Sequence, residues 1–112
     1  MQKEGTEVVA HDLEPLVAVL RLLSDKTRLR ILMALAKGER HVGGLCEELG
    51  LPQPTVSHHL SLLRSKDVIS NRRSGKQVFY AMNGKVDSAT RAALRVLAPP
   101  YRIEITDSAA QP

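Results

Sequence analysis

The chain has 112 residues, of which 43% are hydrophobic and 25% are charged, as expected for one globular domain with a small core. Its formal net charge of +4 favours an acidic partner over a basic one. A single cysteine excludes an internal disulfide framework, and the absence of long apolar runs predicts a cytoplasmic protein without a membrane span or signal peptide.

The first predicted element is a short, densely apolar helix. Residues 1–10 are polar and are expected to be flexible, with the folded domain spanning 11–98. Between Asp12 and Leu23, apolar side chains recur at helical spacing and also cover a second side of the helix. A domain of this size can hardly bury such a helix alone, so a second subunit is expected.

A second helix is predicted to begin at Ser24, a good N-cap, and to end at Gly38. Arg28 and Arg30 lie near its start, where a cation opposes the helix dipole. They are therefore expected to be solvated, or else to be compensated by an outside anion. Residues 39–44 are predicted to form a connection.

The next stretch has the pattern of two helices joined by a tight turn. The first helix, from residue 45 to 49, is followed by Gly50, which tolerates the left-handed conformation of a helix end. Pro52 and Pro54 fit the start of a second helix, near residues 53–66. Three apolar residues form the predicted buried stripe of this helix: Val56, Leu60 and Leu63.

The other side of the second helix carries short, polar, uncharged side chains, which suit the donor and acceptor pattern of base edges in a DNA major groove. The residues predicted to contact bases are Gln53, Thr55, Ser57 and His58. The alternative is a helix corner whose polar face simply meets water. His59 lies beside the buried stripe and is predicted to be packed or hydrogen-bonded.

A short hairpin is predicted to follow the two helices. Apolar residues at 68–69 and 78–80 bracket a turn at 71–76, and cations cluster near 71–77. An apolar strand pair with cations at its tip is typical of a wing that contacts DNA phosphates. The residues predicted to hold phosphates are Arg64, Lys66, Arg72, Arg73 and Lys76. The expected partner is double-stranded DNA, since 3% aromatic content is low for stacking on single strands.

The last part of the chain is predicted to contain one more helix and a tail. Residues 85–98 have an apolar side at helical spacing, and Pro99 and Pro100 end that helix. The tail, residues 99–112, alternates Tyr101, Ile103 and Ile105, which predicts a short strand or an extended arm before a disordered end.

Three segments together resemble the ArsR/SmtB-type winged-helix repressors: DKTRLRILMALAKGE, LCEELGLPQPTVSHHLSLLR and GKQVFYAMN. The resemblance covers about Leu16 to Leu97. It implies a mainly α winged helix-turn-helix fold with a small β-hairpin wing. It also implies a homodimer joined through its first and last helices, and a repressor that binds operator DNA and releases it when an inducer, often a metal ion, is sensed. A dimer would present two DNA-contacting helices about one DNA turn apart, so the operator is expected to be an inverted repeat.

The metal chemistry of that family does not carry over to this chain. Metal-sensing members place a Cys-x-Cys just before the helix-turn-helix, where this chain has His41 and Gly43. The remaining candidate ligands are His11, His41 and Cys46, and the sequence does not bring them together. No metal site and no cofactor are therefore predicted, and the inducer is left unassigned.

Two alternative functions stay open. The chain could be a redox-controlled regulator switched through Cys46, although the place of that thiol on an apolar stripe favours a small core residue. It could also be a protein-interaction module with the winged-helix shape, against which the basic hairpin argues. No catalytic constellation is recognisable, so the chain is not predicted to be an enzyme.

Overall fold

The computed structural model describes residues 13–83 and 92–106. The predicted flexible segment at residues 1–10 and the predicted disordered end of the tail lie outside these residues. The described helices are α1 Glu14–Leu23, α2 Lys26–Ala36, α3 Val42–Leu49 and α4 Gln53–Ser65. The described strands are β1 Arg40–His41, β2 Ile69–Ser74, β3 Gln77–Met82, β4 Ala92–Ala98 and β5 Tyr101–Thr106. None of the described helices is long and apolar enough to cross a membrane.

The helix-turn-helix predicted from the sequence is confirmed in α3 and α4. Gly50 ends α3 in the left-handed conformation, with φ 66° and ψ 38°. The chain then turns at Leu51, whose amide donates to the Cys46 carbonyl over 3.1 Å. Pro52 is the N-cap of α4, with extended backbone and no side-chain cap. The turn is therefore set by local residue chemistry.

One hydrophobic core lies beneath the helix-turn-helix. Buried apolar side chains from all four helices, from β2 and from β4 form it. The predicted stripe of α4 is at its centre, since Val56, Leu60 and Leu63 are at most 1% exposed. Cys46 is partly buried and packs against this core, in agreement with its interpretation as a small core residue.

The junction between α1 and α2 differs by one residue from the prediction. The N-cap of α2 is Asp25, whose Oδ2 accepts from the Arg28 amide over 2.9 Å. Ser24 instead follows α1, and its hydroxyl donates to the Arg21 carbonyl over 2.8 Å. Ser24 therefore caps the end of α1, and Asp25 caps the start of α2.

The two arginines near the start of α2 bind backbone carbonyls within the protein. The expectation that they are only solvated or compensated by an outside anion is therefore wrong. Arg28 Nε donates to the Leu22 carbonyl of α1 over 2.7 Å. Arg30 Nη2 donates to the Leu49 carbonyl of α3 over 2.9 Å. Both acceptors lie in the last turn of a helix, where carbonyls lack intrahelical partners and cations are favoured.

The prediction of a plain connection over residues 39–44 is wrong. Arg40 and His41 form β1, which pairs with Tyr80 and Phe79 of β3, and α3 begins at Val42. The sheet is antiparallel with strand order β1-β3-β2. A two-residue strand leaves no periodic signal, because only its distant partner defines it.

The hairpin of β2 and β3 forms the predicted wing, but its turn is shorter than expected. Only Gly75 and Lys76 separate the paired residues Ser74 and Gln77, and Gly75 has φ 63°. Positive φ at the first position of a two-residue turn favours glycine. Arg72 and Arg73 therefore lie within a strand, and as neighbours they point to opposite faces of the sheet.

The predicted last helix is wrong over residues 92–98. These residues form β4, which pairs antiparallel with β5, and Pro99 and Pro100 make the turn between them. Residues 85–91 of that prediction lie outside the described residues. The short strand predicted from the alternation of the tail is confirmed as β5. Val96 and Ala98 are buried in the core. The predicted domain boundary at 98/99 lies at the turn between β4 and β5, inside a hairpin.

Two glycines of α3 and its turn provide a matched test of this geometry. Gly50→Ala should destabilise the fold by about 1–2 kcal/mol, because its φ of 66° strains any residue with a Cβ. Gly44→Ala should stabilise it by about 0.5 kcal/mol, since a Cβ there meets only the His41 ring at 3.6 Å. Urea denaturation measures both changes. An unchanged midpoint for Gly50→Ala would contradict the left-handed turn.

Candidate nucleic-acid interface

The residues predicted to contact bases all lie in the first half of α4, but their exposure differs. Gln53 and His58 are exposed, whereas Thr55 and Ser57 are half-buried. Within the described part of the chain, the side chains of Gln53, Thr55 and Ser57 make no hydrogen bond. The buried stripe on the opposite side of α4 fixes the rotation of the helix, so the polar side chains face outward.

Sequence reasoning missed a polar cleft between α4 and the wing. Ser61 lies one turn after His58 on the exposed side of α4. The cleft has a volume of about 360 Å³ and is lined by Ser61, Arg64, Asn71 and Tyr80, together with Leu60 and Ser65. The spacing of three residues from His58 to Ser61 and on to Arg64 could have indicated the side of the cleft that α4 forms. The side formed by β2 and β3 depends on how the wing packs against α4.

Four of the five predicted phosphate-binding cations are exposed, two at the end of α4 and two on the wing. Arg64 and Lys66 are exposed at the end of α4. Arg73 and Lys76 are exposed on the wing, and Arg73 shares its sheet face with Asn71 and Tyr80. Of these four, Arg64 lines the cleft, whereas Lys76 lines a second pocket together with Gln53 at the start of α4.

Arg72, the fifth predicted cation, is already engaged on the other face of the sheet. Its Nε and Nη2 donate to the two carboxylate oxygens of Glu39 over 2.8 and 2.7 Å. Its guanidinium lies over the Phe79 ring, 4.9 Å from the centroid. These hydrogen bonds lower the pKa of the Glu39 carboxyl and raise the pKa of Arg72.

His41, one of the candidate metal ligands, has a structural role. Its Nδ1 accepts the Gly44 amide over 3.0 Å and so caps the start of α3. Its ring contacts Phe79 edge-on, with centroids 5.6 Å apart. Cys46 faces the core, and His11 lies outside the described residues. Among the described residues, no three His, Cys, Asp or Glu side chains are placed to share a metal ion.

The prediction that His59 is hydrogen-bonded is confirmed. Arg28 Nη1 lies 3.3 Å from His59 Nδ1. A guanidinium only donates, so Nδ1 accepts and the ring is neutral with its proton on Nε2. Burial, and the nearby charges of Arg28 and His58, lower the pKa of His59 against an opposing effect of Asp25. The contact ties α4 to the start of α2.

Comparison with known proteins places this geometry among bacterial regulators. The family profile described as "Bacterial regulatory protein, arsR family" matches residues 25–71. The HTH-type transcriptional regulator KmtR of Mycobacterium tuberculosis is 41% identical over 69 residues, 62% of this chain and 53% of KmtR. The transcriptional repressor SdpR of Bacillus subtilis is 37% identical over 68 residues, 61% of this chain and 76% of SdpR.

A solved structure is also similar in fold. It is the homodimeric winged helix-turn-helix DNA-binding domain of Mb0332 from Mycobacterium bovis, at 33% identity and a TM-score of 0.61. The match covers 64% of this chain and 67% of that one.

The lowered pKa of His59 predicts loss of stability in mild acid. Below about pH 6.5, the ordinary value, the unfolded chain binds a proton that the folded chain resists. The contribution is complete above that pH and is lost as the pH falls through the folded-state pKa. Chemical denaturation between about pH 7.5 and 5.5 should show a smaller decline for His59→Gln than for the wild type. His58→Gln, a variant of the exposed neighbour, is the control, and equal declines for His59→Gln and the wild type would contradict the prediction.

Proposed function

The chain belongs to the ArsR family of bacterial regulatory proteins and has the winged helix-turn-helix fold, and from this premise we propose that it is a homodimeric DNA-binding repressor. In this proposal α4 enters the major groove of an inverted-repeat operator, and the wing lies on the flanking backbone. Its place of action is the cytoplasm, where such DNA is found.

The observation that carries the proposal is the outward polar face of α4, with exposed cations at the end of that helix and on the wing. The proposed base-contacting residues are Gln53, Thr55, Ser57 and His58, and Ser61 continues the same polar face one turn after His58. Short polar side chains at a helix start are suited to base edges, while exposed cations at the end of α4 and on the wing neutralise phosphates. Arg64, Lys66, Arg73 and Lys76 are the proposed phosphate contacts. Arg72 needs separate treatment because Glu39 already binds it.

The dimer is supported by apolar surface on α1. Leu13 is 43% exposed at its N-terminal end and Leu20 is 47% exposed, seven residues later and therefore on the same side. The similar Mb0332 domain is homodimeric. The sequence placed the dimer contact on the first and last helices. Because residues 92–98 form a strand, we place the helical part of the contact on α1.

Base contact and phosphate contact can be separated by comparing specific with random DNA. An operator is first obtained by selecting bound duplexes from a random pool. Ser57→Ala and His58→Ala should each weaken binding to that operator by about 1–3 kcal/mol and change binding to random duplex far less. The measurement is the ratio of the two affinities at one salt concentration.

Lys66→Ala is the matched control for this experiment. It should weaken both duplexes similarly, because phosphate contacts carry no sequence information. If Ser57→Ala and His58→Ala leave the affinity ratio unchanged, α4 contacts DNA without reading it through these side chains. If no duplex is selected at all, the proposed function itself fails.

The dimer proposal predicts a change of mass on mutation of α1. Leu20→Glu should give a folded monomer, because a buried unpaired charge at the contact costs several kcal/mol. Met33→Glu is the control, since Met33 is also 50% exposed but lies on α2. Light scattering at micromolar concentration distinguishes the states. A monomeric wild type would refute the dimer.

A further inference from the structure

The ion pair between Arg72 and Glu39 spans the whole width of the wing sheet. Arg72 is on β2, Glu39 immediately precedes β1, and β3 lies between these strands. Neighbouring strands are about 4.8 Å apart, so the Arg72 and Glu39 side chains together span about 10 Å across β3. The contact joins residues 33 positions apart and is made through two hydrogen bonds.

The same contact is continuous with the start of α3. Phe79 is the cross-strand partner of Arg72 and lies beneath its guanidinium. The edge contact between Phe79 and His41 continues the series, and His41 caps α3 through the Gly44 amide. A chain of direct contacts therefore runs from the outer wing strand to the helix-turn-helix.

The two adjacent arginines of the wing differ in whether their guanidinium donors are available to bind DNA. The fork formed by Nε and Nη2 of Arg72 is taken by Glu39, so bidentate phosphate binding would break two charge-assisted hydrogen bonds. Arg73 is exposed on the opposite face, beside Asn71 and Tyr80 of the cleft. Its side chain makes no hydrogen bond with any residue of the described chain.

We propose that Arg72 is a positioning residue, which together with Glu39 fixes the wing against the helix-turn-helix, and that Arg73 is the arginine of the wing that contacts a DNA phosphate. The proposal rests on the proposed function, because it assigns roles within the DNA-binding surface. It also predicts that two neighbouring residues of the same type act on DNA binding by different physical routes.

The salt dependence of binding separates these routes, since its slope counts neutralised phosphates. Affinity for a short random duplex is measured over a range of salt concentrations for Arg72→Gln, Arg73→Gln, Glu39→Gln and the double variant of Glu39 and Arg72. Arg73→Gln should lower the slope of log K against log salt by about 0.9. Arg72→Gln should leave the slope unchanged and weaken binding by about two- to fivefold, the range of an exposed ion pair.

Glu39→Gln is the decisive variant because the two roles of Arg72 predict opposite signs for it. If the pair positions the wing, Glu39→Gln weakens binding as much as Arg72→Gln, and the double variant is no weaker than either single one. If Arg72 is instead a phosphate ligand that Glu39 masks, Glu39→Gln strengthens binding and Arg72→Gln lowers the slope. That second pattern would overturn the proposal.

Hydrogen exchange in the protein without DNA provides a second test. Glu39→Gln and Arg72→Gln should speed amide exchange along β2 and β3, whereas Arg73→Gln should not. Unchanged exchange in the first two variants would refute the positioning role even if their DNA affinity fell. A chain that binds no duplex but shows the exchange pattern would refute the proposed function and leave the positioning of the wing established.

Discussion

Two arginines of α2 connect the helices around the helix-turn-helix by binding the carboxyl ends of the neighbouring helices. Arg28 binds the end of α1 through the Leu22 carbonyl, and Arg30 binds the end of α3 through the Leu49 carbonyl. Each pairs a cation with carbonyls that have no partner inside their helix. Arg28 also contacts His59, so one side chain joins α1, α2 and α4. Arg28 therefore contacts both the proposed dimer helix, α1, and the proposed DNA-contacting helix, α4.

The wing has a different kind of support on each of its faces. Toward α4, Ile69 is buried, and Asn71 and Tyr80 line the polar cleft. On the outer face, Arg72 and Phe79 form a charged and aromatic layer that Glu39 completes. Strand alternation produces this separation, since each residue along β2 faces the opposite side from the one before. One face can therefore meet a ligand while the other holds the hairpin in place.

The segment at the start of α3 has a role that the family resemblance did not indicate. The resemblance implied a Cys-x-Cys here in metal-sensing members, where this chain has His41 just before α3 and Gly43 within it. The His41 ring caps α3 and contacts Phe79, and a larger residue at Gly43 would approach that ring to 3.3 Å. In this chain the segment therefore connects α3 to the wing, and the acceptor atom His41 Nδ1 is hydrogen-bonded to the Gly44 backbone amide.

Features with local causes were predictable from the sequence: the two helices around Gly50, the buried stripe of α4 and the hairpin. Features that depend on distant partners were not. Strand β1 exists because Arg40 and His41 meet β3, and β4 is a strand because β5 pairs with it, although its apolar run also fits helical spacing. The charge of Arg72 was evident, but its partner Glu39 was not, since only the strand order β1-β3-β2 brings them together. Composition and periodicity determine which residues can be buried and which side chains are polar. Non-local pairing decides whether residues 92–98 form a helix or a strand, and which of the polar side chains remain available to a ligand.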